Sequence, residues 1–356
     1  MTPRPARQGA EGVESVSREV NVLVVGAGVS GLSCAREAAA AGHSVQVLER
    51  ARGVGGRCAT HRLDGLAFDI GVSFVHGRDP DFLAAVRGFP GRKLEGWPRA
   101  IRGSGRPCQP EAFQAGEERL AFGDGVTAFP KHLASGLAIR TQARVERMNL
   151  SGERPRLVLE GGEELEARHV VLALASEQVL RLLAGVPDLP RPLVSVMALL
   201  DTSSSESSLS LSAAYPPGTP VPSWDACYPE DSSILQFVSH ESGKREAPPF
   251  LGLVLQARPA WARRHIGDPA WPGALLSEAG RILGTWAATP SATHAHRWKF
   301  ARTDLSSELS GPVLVQLPSG ASVGICGDRF APGGGVEAAW ISGRVLGRRL
   351  AALEVA

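Results

Sequence analysis

The sequence is poor in cysteine and contains no long apolar run. A membrane-spanning helix needs about 18 or more consecutive apolar residues, so we expect no segment that crosses a membrane. The first 19 residues lack the apolar region of a secretory signal, which favours a cytoplasmic protein with a disordered leader at 1–19. The five cysteines, which form no C-x-x-C pair and so predict neither disulfides nor a metal site, are Cys34, Cys58, Cys108, Cys227 and Cys326.

An excess of charge of either sign is also absent. The 38 Lys and Arg residues nearly balance the 36 Asp and Glu residues, which leaves a formal charge of +2. This balance gives no electrostatic reason to expect a nucleic acid or a membrane surface as partner. Apolar residues make up 43% of the 356 residues, as in a soluble globular protein long enough for two domains.

Residues 20–50 have the pattern of strand, glycine turn, helix and strand, which predicts a βαβ unit. Further strands are predicted at 139–145, 157–159, 170–174, 193–200, 234–238, 251–255 and 323–326, and helices at 126–137 and 336–350. The serine-rich stretch 202–212 and the proline cluster 216–222 are interpreted as surface connections. This order predicts a nucleotide-binding domain made of 20–75, 124–190 and 305–356, and a substrate domain made of 76–123 and 191–304.

Glycines follow the first predicted strand at the spacing of a dinucleotide-binding turn. Gly26 permits a tight turn, Gly28 lets the backbone approach a pyrophosphate, and Gly31 lets the next helix pack closely. The phosphates would then meet the free N–H groups at the helix N-terminus. Glu49 closes the second strand, where a carboxylate accepts hydrogen bonds from ribose hydroxyls. The alternative interpretation is a purely structural glycine turn.

A second glycine-rich element, Arg52-Gly53-Val54-Gly55-Gly56-Arg57, follows the second strand directly. Its glycines let the chain pass close to a diphosphate, and an arginine supplies charge-assisted contacts. Here the sequence resembles the flavoprotein superfamily of amine oxidases, which carries R-x-G-G-R at this place. Phe68-Asp69-Ile70-Gly71 is similar to the D-x-G segment that this superfamily places beside the flavin. The alternative is a flexible loop with solvated arginines.

The C-terminal part extends this resemblance. Cys326-Gly327-Asp328 is similar to the G-D element of the superfamily, in which Asp328 would bind a ribitol hydroxyl; a turn residue or helix cap is the alternative. The next helix would point its N-terminus at the flavin. The resemblance thus implies an α/β fold, with a Rossmann-type FAD-binding domain and an inserted α+β substrate domain. The residues expected to bind FAD, noncovalently, are Gly26, Gly28, Ser30, Gly31, Glu49, Arg50, Gly56, Arg57, Gly71, Ser73, Phe74, Val145, Asp328, Gly335 and Val336.

Two segments of the substrate region resemble the renalases, a branch of these flavoproteins. Residues 295–302 are similar to their H-R-W segment, and residues 256–265 to their S-P-x-W-S-R-x-H stretch. The resemblance implies a small-molecule substrate, a reduced nicotinamide nucleotide of the isomeric dihydronicotinamide type, which transfers hydride to FAD and then to O2. Ser73 departs from the family, which has glutamine there. A flavin amine oxidase or a desaturase-like enzyme is an alternative, and so is a flavin-binding protein without catalysis.

Candidate catalytic residues are few, because hydride transfer requires stacking and a short distance more than acid–base groups. His296 would contact the substrate or the flavin edge; the alternative is a structural histidine at a strand end. Trp298 would line the pocket, unless it belongs to the core. Lys299 lies where many amine oxidases hold a water with lysine, but its neighbours match the renalase segment, so we expect it at the surface.

Overall fold

The structure is a computed structural model that describes residues 20–202, 205–303 and 305–353. The expected leader, residues 1–19, lies outside the described residues. The strands are β1 (Val22–Val25), β2 (Val45–Leu48), β3 (Thr60–Leu63), β4 (Leu66–Asp69), β5 (Val75–Gly77), β6 (Lys93–Glu95), β7 (Ile101–Arg102), β8 (Glu118–Phe122), β9 (Ala138–Arg140), β10 (Val145–Asn149), β11 (Arg156–Leu159), β12 (Glu164–Glu166), β13 (His169–Leu172), β14 (Glu206–Ala214), β15 (Ala226–Cys227), β16 (Leu235–His240), β17 (Gly252–Ala257), β18 (Ala292–Arg302), β19 (Val313–Gln316) and β20 (Ser322–Ile325). The α-helices are α1 (Val29–Ala40), α2 (Pro80–Gly88), α3 (Ala128–Ala134), α4 (Ser176–Ala184), α5 (Arg191–Leu200), α6 (Pro259–His265), α7 (Trp271–Leu283) and α8 (Gly335–Ala351).

A mainly parallel sheet carries the glycine turn. Its strand order is β19-β20-β13-β1-β2-β9, and only β19 runs antiparallel to its neighbour. Strand β1 lies in the middle because Val22–Val25 is apolar at every position and is buried on both faces. Parallel strands end at the same edge of a sheet, so the turns after β1, β2 and β13 lie close together. This sheet confirms the predicted α/β class with a Rossmann-type unit.

Helices α1 and α8 pack against each other at glycine positions. A Cβ atom on Gly343 would lie 2.1 Å from the Ser30 carbonyl oxygen, and one on Gly347 would lie 2.6 Å from the Cys34 carbonyl oxygen. A larger residue at either position would force the two helices apart. The first turn of α8 reaches β5, because the Glu337 carboxylate accepts hydrogen bonds from two backbone N–H groups just after that strand, those of residues 78 and 79.

A second sheet has the order β18-β14-β17-β16-β15-β7. All its pairs are antiparallel except β15 with β7. Helices α6 and α7 contribute Trp261, Trp271 and Leu275 to an apolar core shared with buried residues of β14 and β17. Its strands come from 101–102 and from 206–302, and those of the first sheet come from 22–172 and 313–325. We keep the division into two domains as a proposal.

Three predicted elements are wrong. The single strand predicted at 139–145 is the end of β9 and the start of β10, which lie in different sheets. Residues 193–200 lie in helix α5, because Leu193, Val196 and Leu200 recur at helical spacing and are buried on one face. The serine-rich stretch is mostly strand β14, which pairs with β17 on one side and β18 on the other. Its small side chains fit a crowded sheet face, where Ser210 and Ser212 are fully buried.

All five cysteines are free and buried. In the described part of the chain, no helix is long and apolar enough to cross a membrane.

Candidate active site

A cavity of about 910 Å³ extends from the turn after β1 to the edge strand β18, and both six-stranded sheets contribute to its lining. This volume is within the range of roughly 300–1,000 Å³ for sites that hold cofactors and small ligands. Of the residues predicted to bind the cofactor, all except Gly31 and Phe74 line it. His296, Trp298 and Lys299 line it as well. The structure thus brings together residues that are some 300 positions apart in the chain.

The glycine turn has the shape that a pyrophosphate requires. Gly26 has a φ of +107°, and a Cβ there would lie 2.5 Å from the Ala173 carbonyl oxygen. A Cβ on Gly31 would lie 2.1 Å from the Gly26 carbonyl oxygen, so Gly31 supports the turn from behind instead of lining the cavity. Around Gly28, by contrast, a Cβ would meet nothing within 4 Å. A phosphate group would therefore reach the backbone at Gly28 and the first N–H groups of α1.

The Glu49 carboxylate is held in place by the backbone. Its Oε2 accepts a hydrogen bond from the Ala27 N–H at 2.9 Å, and its Oε1 accepts one from the Ala51 N–H at 2.8 Å. The residue is buried but lines the cavity. Each carboxylate oxygen can accept more than one hydrogen bond, so both can still accept hydrogen bonds from ribose hydroxyls.

Arg57 and Asp328 form a bidentate ion pair, in which both N···O distances are 2.7 Å. The Thr303 hydroxyl also donates to Asp328, at 3.1 Å. Burial alone would raise the pKa of Asp328, but the Arg57 charge and these hydrogen bonds hold the pKa below its usual value. The two residues were expected to bind different parts of FAD, a diphosphate and a ribitol hydroxyl. In the structure each is the main partner of the other, which joins the second glycine-rich element to the C-terminal one.

The segment Ile70–Ser73, here called the 70–73 loop, follows β4 along one wall of the cavity. Its Ile70 N–H donates to the Ala59 carbonyl and its Val72 N–H to the Arg57 carbonyl, both at 3.0 Å. A Cβ on Gly71 would lie 2.1 Å from the Arg57 carbonyl oxygen, so this position requires glycine. The N–H groups at 70 and 72 therefore fix the loop to the second glycine-rich element.

The carbonyl groups of the 70–73 loop are held from the opposite side by side chains of the substrate region. Trp298 Nε1 donates to the carbonyl of residue 70 at 2.9 Å, and Gln256 Nε2 donates to that of residue 71 at 2.8 Å. Lys244 Nζ donates to the carbonyl of residue 73, also at 2.9 Å. Hydrogen bonds thus connect the loop to the second glycine-rich element on one side and to the substrate region on the other.

Four charged side chains lie buried behind this loop, and sequence reasoning missed them as a group. We call Asp69, Glu241, Lys244 and Arg245 the charge cluster. Lys244 Nζ contacts Asp69 Oδ2 at 2.9 Å and Glu241 Oε1 at 2.7 Å, and Arg245 contacts the same two carboxylates at 3.0 and 2.8 Å. Burial would raise the pKa of Asp69, but the charges of Lys244 and Arg245 lower it to about 2. The available signal was weak: two cations placed three and four residues after Glu241, a spacing also typical of an exposed helix face.

Strand β18 places its even-numbered side chains toward the interior and its odd-numbered ones toward solvent. His296 and Trp298 are half-buried with ring centroids 4.2 Å apart, whereas Lys299 is exposed and lies over the Phe300 ring. Burial, and then the charge of nearby His61, lowers the pKa of His296. The neutral imidazole is therefore the form present at neutral pH. The exposed side chain of Lys299 agrees with the surface position expected for it.

A second histidine in the cavity was missed by sequence reasoning. His76 Nδ1 donates to the Glu117 carboxylate at 3.0 Å, and that carboxylate also accepts from Arg78 Nε at 2.7 Å. The imidazole Nε2 lies 3.8 Å from the position that a Cβ on Gly335 would take, beside the first residue of α8. Glu117 fixes the orientation of the ring and the position of its proton. Only the placement of β5 against β8 shows this pair, because 41 residues separate its members.

Phe74 and Ser73, the last two expected cofactor contacts of this segment, have different surroundings. Phe74 is fully buried against Trp97 and Phe113, with ring centroids 5.5 and 6.4 Å away, and it does not line the cavity. The expectation that Phe74 contacts the cofactor is therefore wrong, because alternation along the chain turns its ring into the core. Ser73 does line the cavity, and its hydroxyl is buried without a hydrogen-bond partner among the described residues.

Comparison with known proteins identifies the family. Residues 24–89 match the NAD(P)-binding Rossmann-like domain, and residues 88–344 match the family described as flavin containing amine oxidoreductase. Among curated proteins, the chain is 42% identical over 74 residues to a 4,4'-diapophytoene desaturase of Staphylococcus haemolyticus, which covers 21% of this chain and 14% of the desaturase. It is 34% identical over 99 residues to polyamine oxidase 4 of rice, Oryza sativa subsp. japonica, which covers 26% of this chain and 20% of that enzyme. These matches thus span a fifth or less of the relatives' own length.

Similarity to solved structures extends over nearly the whole chain. Putrescine oxidase bound to putrescine superimposes with a TM-score of 0.67 at 16% identity, over 94% of this chain and 99% of that one. Cyclohexylamine oxidase from Brevibacterium oxydans IH-35A gives 0.70 at 14% identity, with the same coverage. At such identities the likeness concerns the fold alone. The family match covers most of the chain and so confirms the resemblance to the flavin amine oxidase superfamily, whose members contain a flavin cofactor. The protein belongs to the family of flavin containing amine oxidoreductases.

Proposed function

We propose that this protein is an oxidase of the renalase type, which takes hydride from a small anionic substrate, an isomeric dihydronicotinamide nucleotide. FAD, when bound, supplies the two-electron acceptor for this hydride and the route to O2. The glycine turn and Glu49 would hold its adenosine diphosphate part. The 70–73 loop and the start of α8 would lie beside its flavin ring.

The uncharged, aromatic face that β18 turns toward the cavity is the observation that carries this proposal. Trp298, Phe300 and the neutral His296 line the cavity from this face, whereas the cations Arg297 and Lys299 project toward solvent. A cationic amine would meet no carboxylate on this strand, and a flat dihydropyridine ring would meet an aromatic surface on which it can stack. The nicotinamide ring would stack on Trp298, beside the neutral imidazole of His296.

We also propose that FAD is bound noncovalently and that the protein is cytoplasmic. Cys58 lines the cavity, but burial raises the pKa of its thiol to about 12, so it is not a reactive thiolate at neutral pH. The free thiols suit a reducing compartment. Acid precipitation should release the yellow cofactor into the supernatant, and colour that stays in the pellet would contradict noncovalent binding.

Anaerobic mixing tests the proposed substrate class. The purified yellow protein is mixed in a stopped-flow instrument with 2-dihydro-NAD, 6-dihydro-NAD, putrescine or cyclohexylamine, and flavin absorbance is followed. Rapid bleaching by a dihydronicotinamide isomer, and not by the amines, is the expected result. Bleaching by an amine alone would overturn the proposal. Bleaching by none of these compounds would favour a flavin-binding protein without this activity.

An amine substrate is the second candidate, and one pair of residues favours it. His76, oriented by Glu117, presents Nε2 to the cavity beside α8. A base in that place would take a proton from an ammonium group, which must be neutral before it donates hydride. The overall likeness to putrescine oxidase and cyclohexylamine oxidase agrees with this candidate. At pH values below the pKa of the amine, His76→Asn should strongly lower the rate of flavin reduction by that amine. The same variant should leave the rate of reduction by a dihydronicotinamide nearly unchanged.

A further inference from the structure

Gln256 has a position that no sequence motif suggested. Its side chain lies on β17, lines the cavity and donates from Nε2 to the Gly71 carbonyl oxygen at 2.8 Å. A carbonyl oxygen can only accept, so the amide nitrogen of Gln256 must face Gly71 and its Oε1 must face away. This hydrogen bond therefore fixes the orientation of the carboxamide and leaves its Oε1 atom as the free end.

The free end of this carboxamide faces the cavity. Gln256 is half-buried, and in the described part of the chain no group donates a hydrogen bond to its Oε1. The Oε1 atom is not fully buried, so a ligand can reach it. The open space beside Gln256 is the cavity. An oriented acceptor without a donor is thus presented to whatever occupies the substrate end.

The sheet register places Gln256 on the same row of the sheet as His296, a predicted catalytic residue. Ser210 on β14 pairs with Gln256 on one side and with His296 on the other. Residues directly opposite each other in antiparallel strands project from the same face. On β16, Phe237 pairs with Gln256 and also lines the cavity. The acceptor therefore lies between an aromatic ring and a small serine that leaves space beside His296.

We propose that Gln256 determines substrate specificity by accepting a hydrogen bond from an N–H donor of the substrate while its other end holds the 70–73 loop. For the substrate class of the proposed function, on which this inference rests, the donor is the NH2 of the nicotinamide carboxamide. An analogue that lacks this group would cover the acceptor without supplying a donor, which is unfavourable, so the site should reject such analogues.

Binding of two unreactive ligands tests this inference without turnover. The oxidised holoenzyme is titrated with NAD+ and with its 3-acetylpyridine analogue, which replaces the carboxamide NH2 by a methyl group, and the perturbation of flavin absorbance is recorded. The wild type should bind NAD+ at least about tenfold more tightly than the analogue. Gln256→Met should lose this preference. The matched control Gln316→Met, on the exposed end of β19, should keep it.

Gln256→Glu supplies a second variant in case Gln256→Met does not fold. The glutamate keeps acceptor oxygens but cannot donate to Gly71 when ionised, so the preference for NAD+ should survive while the flavin spectrum of the ligand-free holoenzyme shifts. Equal affinities in the wild type would overturn the inference, and so would a preference that persists in Gln256→Met. Failure of the proposed function gives a different result: no bleaching by dihydronicotinamide isomers, with the preference for NAD+ intact.

Discussion

The nucleotide side and the substrate side of the cavity are built by different means. On the nucleotide side, glycines and backbone N–H groups shape the surface, and even Glu49 is positioned by two backbone amides. On the substrate side, long side chains from two strands and from the turn after β16 converge on the 70–73 loop: Trp298, Gln256 and Lys244. The first kind of site depends on the order of residues along the chain. The second depends on sheet register and on buried charge, so single substitutions should affect the two sides differently.

Removal of one charge from the charge cluster should give the largest effect on the substrate side. Lys244→Met keeps the apolar part of the side chain but leaves Asp69 and Glu241 with only Arg245 as counter-charge. Breaking a buried ion pair from one side costs about 3–5 kcal/mol of unfolding free energy. Denaturant unfolding of the holoenzyme measures this loss.

Restoring the charge balance separates electrostatics from packing in this experiment. Lys244→Met combined with Glu241→Gln leaves Asp69 paired with Arg245 and should recover part of the lost stability. Lys131→Met, which removes a lysine on α3 outside the cluster, is the matched control and should change stability little. A double variant that is no more stable than Lys244→Met alone would show that charge balance is not the cause.

Acid should weaken the same cluster at a defined pH. The pKa of Asp69 is about 2 in the folded protein against an ordinary value of 3.8, so its stabilising contribution is complete above pH 4 and is lost as the pH falls toward 2. A difference of this size corresponds to roughly 2 kcal/mol. Thermal unfolding from pH 5 to pH 2 should therefore show a steeper loss in the wild type than in Asp69→Asn. Asp231→Asn, which alters an exposed ion pair with Arg281, should change the profile little, because solvent screens that pair.

The nucleotide side could be predicted from the sequence to a larger extent than the substrate side. The glycine turn, the second glycine-rich element and Glu49 were predicted because each acts through residues close to one another in the chain. The charge cluster joins Asp69 to residues 172 to 176 positions away, and the His76–Glu117 pair depends on strand pairing. Strand β14 was misinterpreted as a loop because serine is common in turns, whereas its role comes from the two strands beside it.

Glu49→Gln tests the nucleotide side. The glutamine amide group would face a backbone N–H in place of a carboxylate oxygen, and the charge-assisted hydrogen bonds to the ribose, worth about 1.5–3 kcal/mol each, would be lost. The dissociation constant of FAD should rise by about tenfold or more, because each 1.4 kcal/mol corresponds to a factor of ten. Titration of the apoprotein with FAD measures the constant, with the exposed Glu164→Gln as control. An unchanged constant would mean that Glu49 does not contact the ribose.

The smallest effects should come from strand β18, because hydride transfer to the flavin requires no acid or base there. Burial keeps His296 neutral at neutral pH, so the rate of flavin reduction by a dihydronicotinamide should be nearly flat between pH 7 and 9. His296→Asn should lower that rate by only about threefold, through lost positioning, and His132→Asn, remote from the cavity, should not change it. Trp298→Ala should raise the substrate dissociation constant more than it slows reduction, since stacking acts equally on ground and transition states. Stopped-flow reduction across this pH range, repeated for each variant, measures both quantities. A steep pH dependence that His296→Asn abolishes would instead make His296 an acid–base catalyst, and the substrate side would then contribute chemistry as well as position.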